Sequence, residues 1–445
     1  MDVIGQFPLF YFPDYGSAWM MGITGTIHIL ASHTSVGAAM LFAFLARKAY
    51  KENRTDYYPY MKKYGMFLLI FSYVIGSITG PGIWYTATAA SPRGISALIH
   101  NFVWVWATEW VFFVYEVIGV FILVYFINKI DKKTHLQLTY TFALASVGTL
   151  ALIIGIISFM MWPGTEAYYT TGSASDAFFG VNTFPHMFLR IGFMIMMSGV
   201  IGLLISSSMR KDNAELSYEL SKKMGYISLF GGFVTLLSFI WYMGTLPQNA
   251  HAVFAFSKDA IIQNRIVLTV AFSLYFALAV FKPKMIHPAM ATAMIFVILI
   301  GGLWSGEKLR ESMRKPYVAG QYMYSNQIIS RDVAGKGIKN ELPIIAEKGL
   351  LALNPFVPKR LKVITTDNKL EAGKLLAKMA CSNCHSLEKT GVFRPMKDRL
   401  VGMDKEGIKA ILYTIGDGGM SYMPALKLPE AEYDAIAEYF ASLKY

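Results

Sequence analysis

Eight long apolar runs dominate the chain, and they decide what it can fold into. They fall at about 20–46, 64–84, 101–127, 136–162, 185–207, 224–246, 261–281 and 285–304. Each is long enough to cross roughly 30 Å of hydrocarbon as a helix. In lipid a spanning segment must satisfy its own backbone, so helices are the economical solution. Only 16% of the residues are charged, against about a quarter in soluble domains. The reading is an all-α, polytopic membrane helix bundle of about eight spans, seated in a lipid bilayer. The net charge of +12 is therefore read as a topology signal, and no nucleic-acid partner is expected.

Loop charges set the orientation. Connections after spans one, three, five and seven carry Arg47, Lys48, Lys51, Arg54, Lys62, Lys63, Lys129, Lys132, Lys133, Arg210, Lys211, Lys222, Lys223, Lys282 and Lys284. The opposite side has only Arg93 and Lys258 before the tail begins. Both termini are thus expected outside. No cleavable leader is expected, because residues 1–19 have no Lys or Arg and contain Asp2 and Asp14. Residues 306–365 read as a charged connector punctuated by Gly and Pro, and 366–445 as a small soluble domain after a membrane domain over 1–305. Leu370–Met379 reads as one helix of the tail, and the stretch from Pro429 to Leu443 as its last, with Tyr433, Ile436, Tyr439 and Phe440 on one packing face.

The tail holds both cysteines of the chain, in Cys381-Ser-Asn-Cys384-His385. That spacing is a c-type haem attachment site: two thiols for the vinyl groups and an adjoining imidazole for the iron. Half a zinc site or a redox dithiol would also use such a pair, but zinc needs two more Cys or His, and none follows His385. Met423, followed by Pro424, supplies a thioether for the far face of the iron, and Met420 competes for that role. One covalent haem c is expected, in a small α-helical cytochrome c domain outside the bacterial cytoplasmic membrane. Charge asymmetry and the haem motif reach this topology independently.

Ionisable residues inside spans mark function. They are His28 and His33 in span one, Glu109 and Glu116 in span three, His186 and Arg190 in span five, and Arg265 in span seven. By the expected orientation His28, His186, Arg190, Arg265 and Glu109 gather in the outer half. His28 and His186 read as haem b ligands. His33 lies roughly 140° around the helix from His28, so the two do not readily share one iron. Glu109 and Glu116, seven residues apart on one helix face, read as a proton-handling pair, with a hydrogen-bonded interhelical clamp as the alternative.

Several segments resemble one family, cytochrome bd oxidase subunit I. They are Ile27-His28-Ile-Leu-Ala-Ser-His-Thr-Ser-Val-Gly37, Thr108-Glu109-Trp-Val-Phe-Phe-Val-Tyr-Glu116, Phe184-Pro185-His186, Asn264-Arg265-Ile266-Val267 and, faintly, Arg314-Lys315-Pro316-Tyr317. The resemblance covers roughly 15–317. It implies haem b, two or more, one of them of a modified type, with His186 on a low-spin haem and His28 with Glu109 and Glu116 near a high-spin one. It also implies a second membrane subunit and oxygen as electron acceptor. The departures are specific. Val267 stands where the family has an axial methionine, leaving Met243 or His251 to serve, and the eighth span holds no acidic haem ligand within the membrane, Glu307 at its outer end being the candidate. The connection between spans six and seven, Thr245 to Ala260, is too short for the family's quinol-binding loop, and a cytochrome c stands in place of a ninth helix. The expected function is respiratory electron transfer from a periplasmic cytochrome or other redox protein through haem c and haem b to oxygen. A non-oxidase electron-transfer subunit of a larger complex is the alternative, and a quinol-oxidising anchor a third.

Overall fold

The structure, a computed structural model, describes residues 7–256 and 258–445, without the side chains of 256–263, so Asp2 and the Lys258 side chain lie outside the described residues. Among the described residues, eight helices are long and apolar enough to cross a membrane: Ser17–Lys51, Tyr57–Ala90, Pro92–Tyr125, Lys132–Met161, Thr183–Ser208, Ala214–Met243, Asn264–Phe281 and Pro288–Arg314. They correspond one for one with the eight apolar runs, but most extend beyond them. Their starts carry local signals. Asp131 accepts from the backbone N–H of Lys133 and Thr134, and Asn213 from that of Leu216, satisfying donors that a helix start leaves open. Pro92 and Pro288 stand at first-turn positions, where a missing N–H costs nothing.

Spans five and six pack along most of their length. Gly231 makes this approach feasible, since a Cβ there would lie 2.4 Å from the Met196 backbone nitrogen. Small residues at such seams let membrane helices close without a hydrophobic driving force between them. Two spans depart from regular helix, with π-helical segments at Leu69–Ile75 and Ile298–Trp304. Span three is kinked at Phe102 (φ −128°, ψ 30°). On the side of the basic loops, Arg54 pairs with Glu219 at 2.7 Å and with Asp56 at 2.6 Å, tying the first and third of those loops together.

Large apolar side chains cover the outside of the bundle, among them Ile70, Trp104, Leu144 and Phe281. In the bilayer these face lipid or another membrane subunit. At the opposite end from the basic loops, the segment after span four meets a small hairpin of Tyr317–Ala319 and Met323–Tyr324. Tyr168, Tyr169 and Tyr322 are buried there against Phe102 and Phe159, and the Tyr169 hydroxyl donates to the Gly320 carbonyl at 2.9 Å.

The tail is helical, with Lys369–Cys381, Lys405–Gly416 and Glu430–Ser442 as its main elements. The last helix buries Tyr433, Ile436, Tyr439 and Phe440, the face read from the sequence. The same core takes in Ile345, Leu350, Leu351, Leu353, Val357 and Leu361, so the later part of the connector is packed structure rather than a tether. Glu432 fixes that junction. Its buried carboxylate accepts from the N–H groups of Leu350 and Leu351, each at 2.9 Å, at the start of helix Leu350–Leu353. Burial raises its pKa, and those two donors oppose the rise.

The connector also begins differently from expectation. Span eight continues as helix to Arg314, through residues expected to belong to the charged connector. Arg310 pairs with Glu307 at 2.8 Å, and Lys315 with Glu311 at 2.7 Å. The i,i+3 and i,i+4 spacing places these charges on neighbouring turns, where they offset one another. Of the basic residues Lys308, Arg310, Arg314 and Lys315 at this junction, only Lys308 is exposed.

Candidate haem sites

Helix Lys369–Cys381 ends at the first cysteine, and the chain turns tightly after it. The N–H groups of Cys384 and His385 both donate to the Cys381 carbonyl, at 3.1 and 3.0 Å. This turn brings both thiols and the imidazole onto one short loop; neither cysteine is in a disulfide. His385 Nδ1–H donates to the Arg394 carbonyl at 2.8 Å, which fixes the tautomer and leaves the Nε2 lone pair for iron. Burial, helped by Arg399, Arg394 and Lys315, pulls the His385 pKa down to about 4, so the imidazole is neutral and ligand-competent at neutral pH. Burial pushes the Cys381 thiol up to about 12, which disfavours a reactive thiolate there. These residues fit a covalently held haem.

The amino-terminal segment runs directly against this loop. Ser17 N–H donates to the Ser382 carbonyl at 3.4 Å and Val392 N–H to the Asp14 carbonyl at 2.7 Å. The Tyr11 hydroxyl donates to Glu388 and accepts from Leu387 N–H. Gly16 sits at φ +72°, and a Cβ there would stand 3.2 Å from the carbonyl oxygens of Ser382 and His385. The described amino-terminal segment and the tail therefore lie on one side of the bundle, and span one begins at the attachment loop.

Inside the membrane part, Arg190 joins the buried histidines. Its Nε donates to His186 Nε2 at 3.1 Å, its Nη1 lies 3.3 Å from His33 Nε2, and it pairs with Glu307 at 2.5 Å. With Nε2 accepting, His186 Nδ1–H donates to Ser158 Oγ at 3.1 Å, and the Tyr242 ring lies 5.1 Å away. His33, set aside as a ligand in the sequence, is a buried partner of this cluster. For His186 to hold iron through Nε2, Arg190 must release that nitrogen; Glu307 already offers the guanidinium its alternative anchor.

His28 stands apart. Thr79 gives its own proton to the Ile75 carbonyl at 2.7 Å, so His28 Nδ1–H donates to Thr79 Oγ1 at 3.1 Å. The His28 Nε2 lone pair is left available, a second arrangement that fits haem. Thr79 follows the π-helical segment of span two, a type of distortion frequent at functional sites. Glu116 is buried and accepts from Thr149 Oγ1 at 2.6 Å, a clamp between spans three and four. Glu109 is half-buried, and among the described residues no hydrogen bond or ion pair joins either glutamate to His28. Arg265 donates to the Gly302 carbonyl at 3.3 Å, within the π-helical part of span eight. Val267 is 67% exposed, so it does not line the His186 pocket; His251 is also exposed, and Met243 packs at the edge of the cluster around Tyr242.

Met423 is half-buried in the loop before the last helix, in a turn closed by its N–H on the Met420 carbonyl at 2.9 Å. Met420 is half-buried as well. Pro424 holds the Met423 backbone extended, which favours it as the fixed ligand. Met423→Ala should abolish the weak near-infrared band of methionine-ligated ferric haem, and Met420→Ala should leave it. The opposite pattern would reassign the ligand.

Residues 368–440 match the family model described as cytochrome c oxidase, cbb3-type, subunit III. No curated protein sequence matches the chain. Among solved structures, the bd oxidase from Geobacillus thermodenitrificans superposes with a TM-score of 0.53 at 15% identity, over 74% of this chain and 92% of that one. At that identity the likeness establishes the fold. The chain thus joins a helical membrane domain of bd oxidase-like fold to a C-terminal domain that matches a cytochrome c family model.

Proposed function

We infer that the protein is a respiratory oxidoreductase that takes electrons from a periplasmic redox protein at its cytochrome c domain and delivers them into the membrane domain, with oxygen as the acceptor. One observation carries this reading. A connected path, partly through side chains and partly through the backbone of Arg394 and of span eight, runs from the attachment loop to the intramembrane histidines. His385 is held by Arg394; Arg394 Nη2 reaches Glu311 at 3.2 Å and Ser312 Oγ at 2.8 Å; one turn earlier on the same helix, Glu307 binds Arg190, which binds His186. The cytochrome c domain is docked on the membrane domain at both the amino-terminal segment and the end of span eight, so transfer between them needs no domain movement.

Bound haem, held at Cys381, Cys384 and His385, at His186 and at His28, supplies the one-electron chemistry. The chain positions these groups and sets their surroundings. Reduction of oxygen to two waters consumes four electrons and four protons, and Glu116 and Glu109 are the carboxylates in the membrane part placed to hold protons on one helix face. The cytochrome c domain lies outside the bacterial cytoplasmic membrane in this arrangement, as the basic loops at the other end of the bundle direct.

That no hydrogen bond or ion pair joins His28 to either glutamate among the described residues favours a second reading, a non-oxidase electron-transfer subunit of a larger complex. Stopped-flow mixing distinguishes entry at haem c from quinol oxidation, and oxygen consumption distinguishes oxidase from relay. A reduced periplasmic c-type cytochrome should reduce the b-type signals rapidly, with oxygen consumed and quinol-site inhibitors nearly without effect. Fast reduction by quinol with none by the cytochrome would overturn the proposed electron port.

A further inference from the structure

We propose that the membrane domain completes the haem c site: Arg314, at the last turn of span eight, holds a propionate of the haem attached at Cys381 and Cys384. This rests on the functional reading above and adds to it a residue that lies outside the cytochrome c domain.

The basis is an imbalance of charge and of hydrogen bonding at the junction. Three cations, Arg314, Lys315 and Arg394, converge there on the single carboxylate of Glu311, at 3.9, 2.7 and 3.2 Å. Glu307, one turn earlier, is already shared by Arg190 and Arg310. Two positive charges are thus left over in a site where Arg314 and Lys315 side chains are only 12% and 9% exposed. Buried charges are costly unless paired. A haem brings two carboxylates, which is the missing amount.

The unsatisfied donor is specific. Arg314 Nη1 donates to the Val318 carbonyl at 3.1 Å, but its Nε is buried and has no partner. The charge of Arg314 lies within electrostatic reach of the Cys384 sulfur, and that of Lys315 within reach of His385. The loop cannot drift from this position, because Asn383, between the cysteines, donates to the Ser325 carbonyl at 2.7 Å. Arg310 stands four residues before Arg314, about 6 Å along the helix, and it too has a buried guanidinium nitrogen, Nη1, without a partner. The end of span eight therefore carries two buried arginine donors without a partner, one on Arg314, whose charge reaches the attachment loop, and one on Arg310, whose charge reaches His186.

A cation beside a haem favours its reduced form, so the test is a potential rather than an activity. In redox titrations of the full purified chain, with c-type and b-type absorbance followed separately, Arg314→Gln should lower the reduced-to-oxidised ratio of haem c about tenfold at fixed ambient potential, equivalent to about 59 mV for a one-electron couple. Arg314→Lys should restore most of the ratio, because the charge is kept. Glu311→Gln, which releases the cations from their only carboxylate, should move haem c in the opposite direction; it decides the matter should Arg314→Gln fail to accumulate. An unmoved haem c ratio in Arg314→Gln and Glu311→Gln, or a fall in Arg314→Lys as large as in Arg314→Gln, overturns the proposal whatever the b-type signal does. Haem staining of the same preparations separates the two levels of failure. Covalent haem with no shift defeats this site alone, whereas a chain with no covalent haem defeats the functional reading beneath it.

Discussion

A Cys381→Ala/Cys384→Ala chain should run on a denaturing gel at the mass of the intact polypeptide, 49.8 kDa, with no haem peroxidase stain at all. The expected change is all-or-none, because the thioether bonds alone keep haem on a denatured chain. The two cysteines are the chain's full complement, so no other thiol can substitute. Single substitutions should leave a weaker stain through the remaining bond. The local fold should tolerate the changes: the turn is made by backbone donors on the Cys381 carbonyl, which alanine retains. Cys381 packs against the domain core, but the residues at its centre, such as Leu376, Ile436 and Phe440, are unchanged. A stain that survives the double substitution would remove the assignment of haem c, and the proposed electron port with it.

Much of this architecture is legible in the sequence, and the parts that are not share a physical cause. The eight spans stand out because a lipid-crossing helix needs an unbroken apolar run, a signal that averages over many residues. Span eight shows the limit of that average. Hydropathy falls after Trp304, yet the helix continues to Arg314 because Glu307–Arg310 and Glu311–Lys315 neutralise each other at helical spacing. That spacing was the available signal, and a charge count alone converts it into a basic connector. The same error hid Arg310, whose partner Glu307 is one of the residues around Arg190. His186 was visible through its Phe-Pro-His context, but Ser158 and Tyr242 come from other spans and are adjacent only in space. The later connector was opaque for another reason. Its apolar residues, such as Ile345 and Leu351, lie in very short helices broken by Gly349 and Asn354, so no periodicity accumulates. The proposed haem attachment motif is the opposite case, since its residues, Cys381 to His385, are adjacent in the sequence.

Substituting His186 should remove the low-spin b-type signal from reduced spectra and spare the high-spin features, while substituting His28 should do the reverse. The structure gives each histidine its own surroundings. His28 belongs to spans one and two, with Nδ1–H on Thr79 and Nε2 open. His186 belongs to the cluster of spans four, five and eight, with Nδ1–H on Ser158 and Nε2 on Arg190, whose other anchor is Glu307. Loss of one imidazole therefore leaves the other's hydrogen bonds in place, and the two losses should be independent. His33 shares Arg190 with His186, so His33→Ala should perturb the low-spin signal without abolishing it. Asymmetry is expected in folding as well. His186→Ala leaves a cavity in a buried, charged cluster and frees Arg190 Nε, whereas His28→Ala leaves only Thr79 Oγ1 without its donor. His186→Gln, which keeps an acceptor for Arg190, is the control that separates loss of an iron ligand from loss of the cluster. If His186→Gln retained a normal low-spin spectrum, His186 would be structural. If His28 and His186 variants lost the same signal, the two histidines would serve one haem, and the division of the membrane domain into low-spin and high-spin sites would fall.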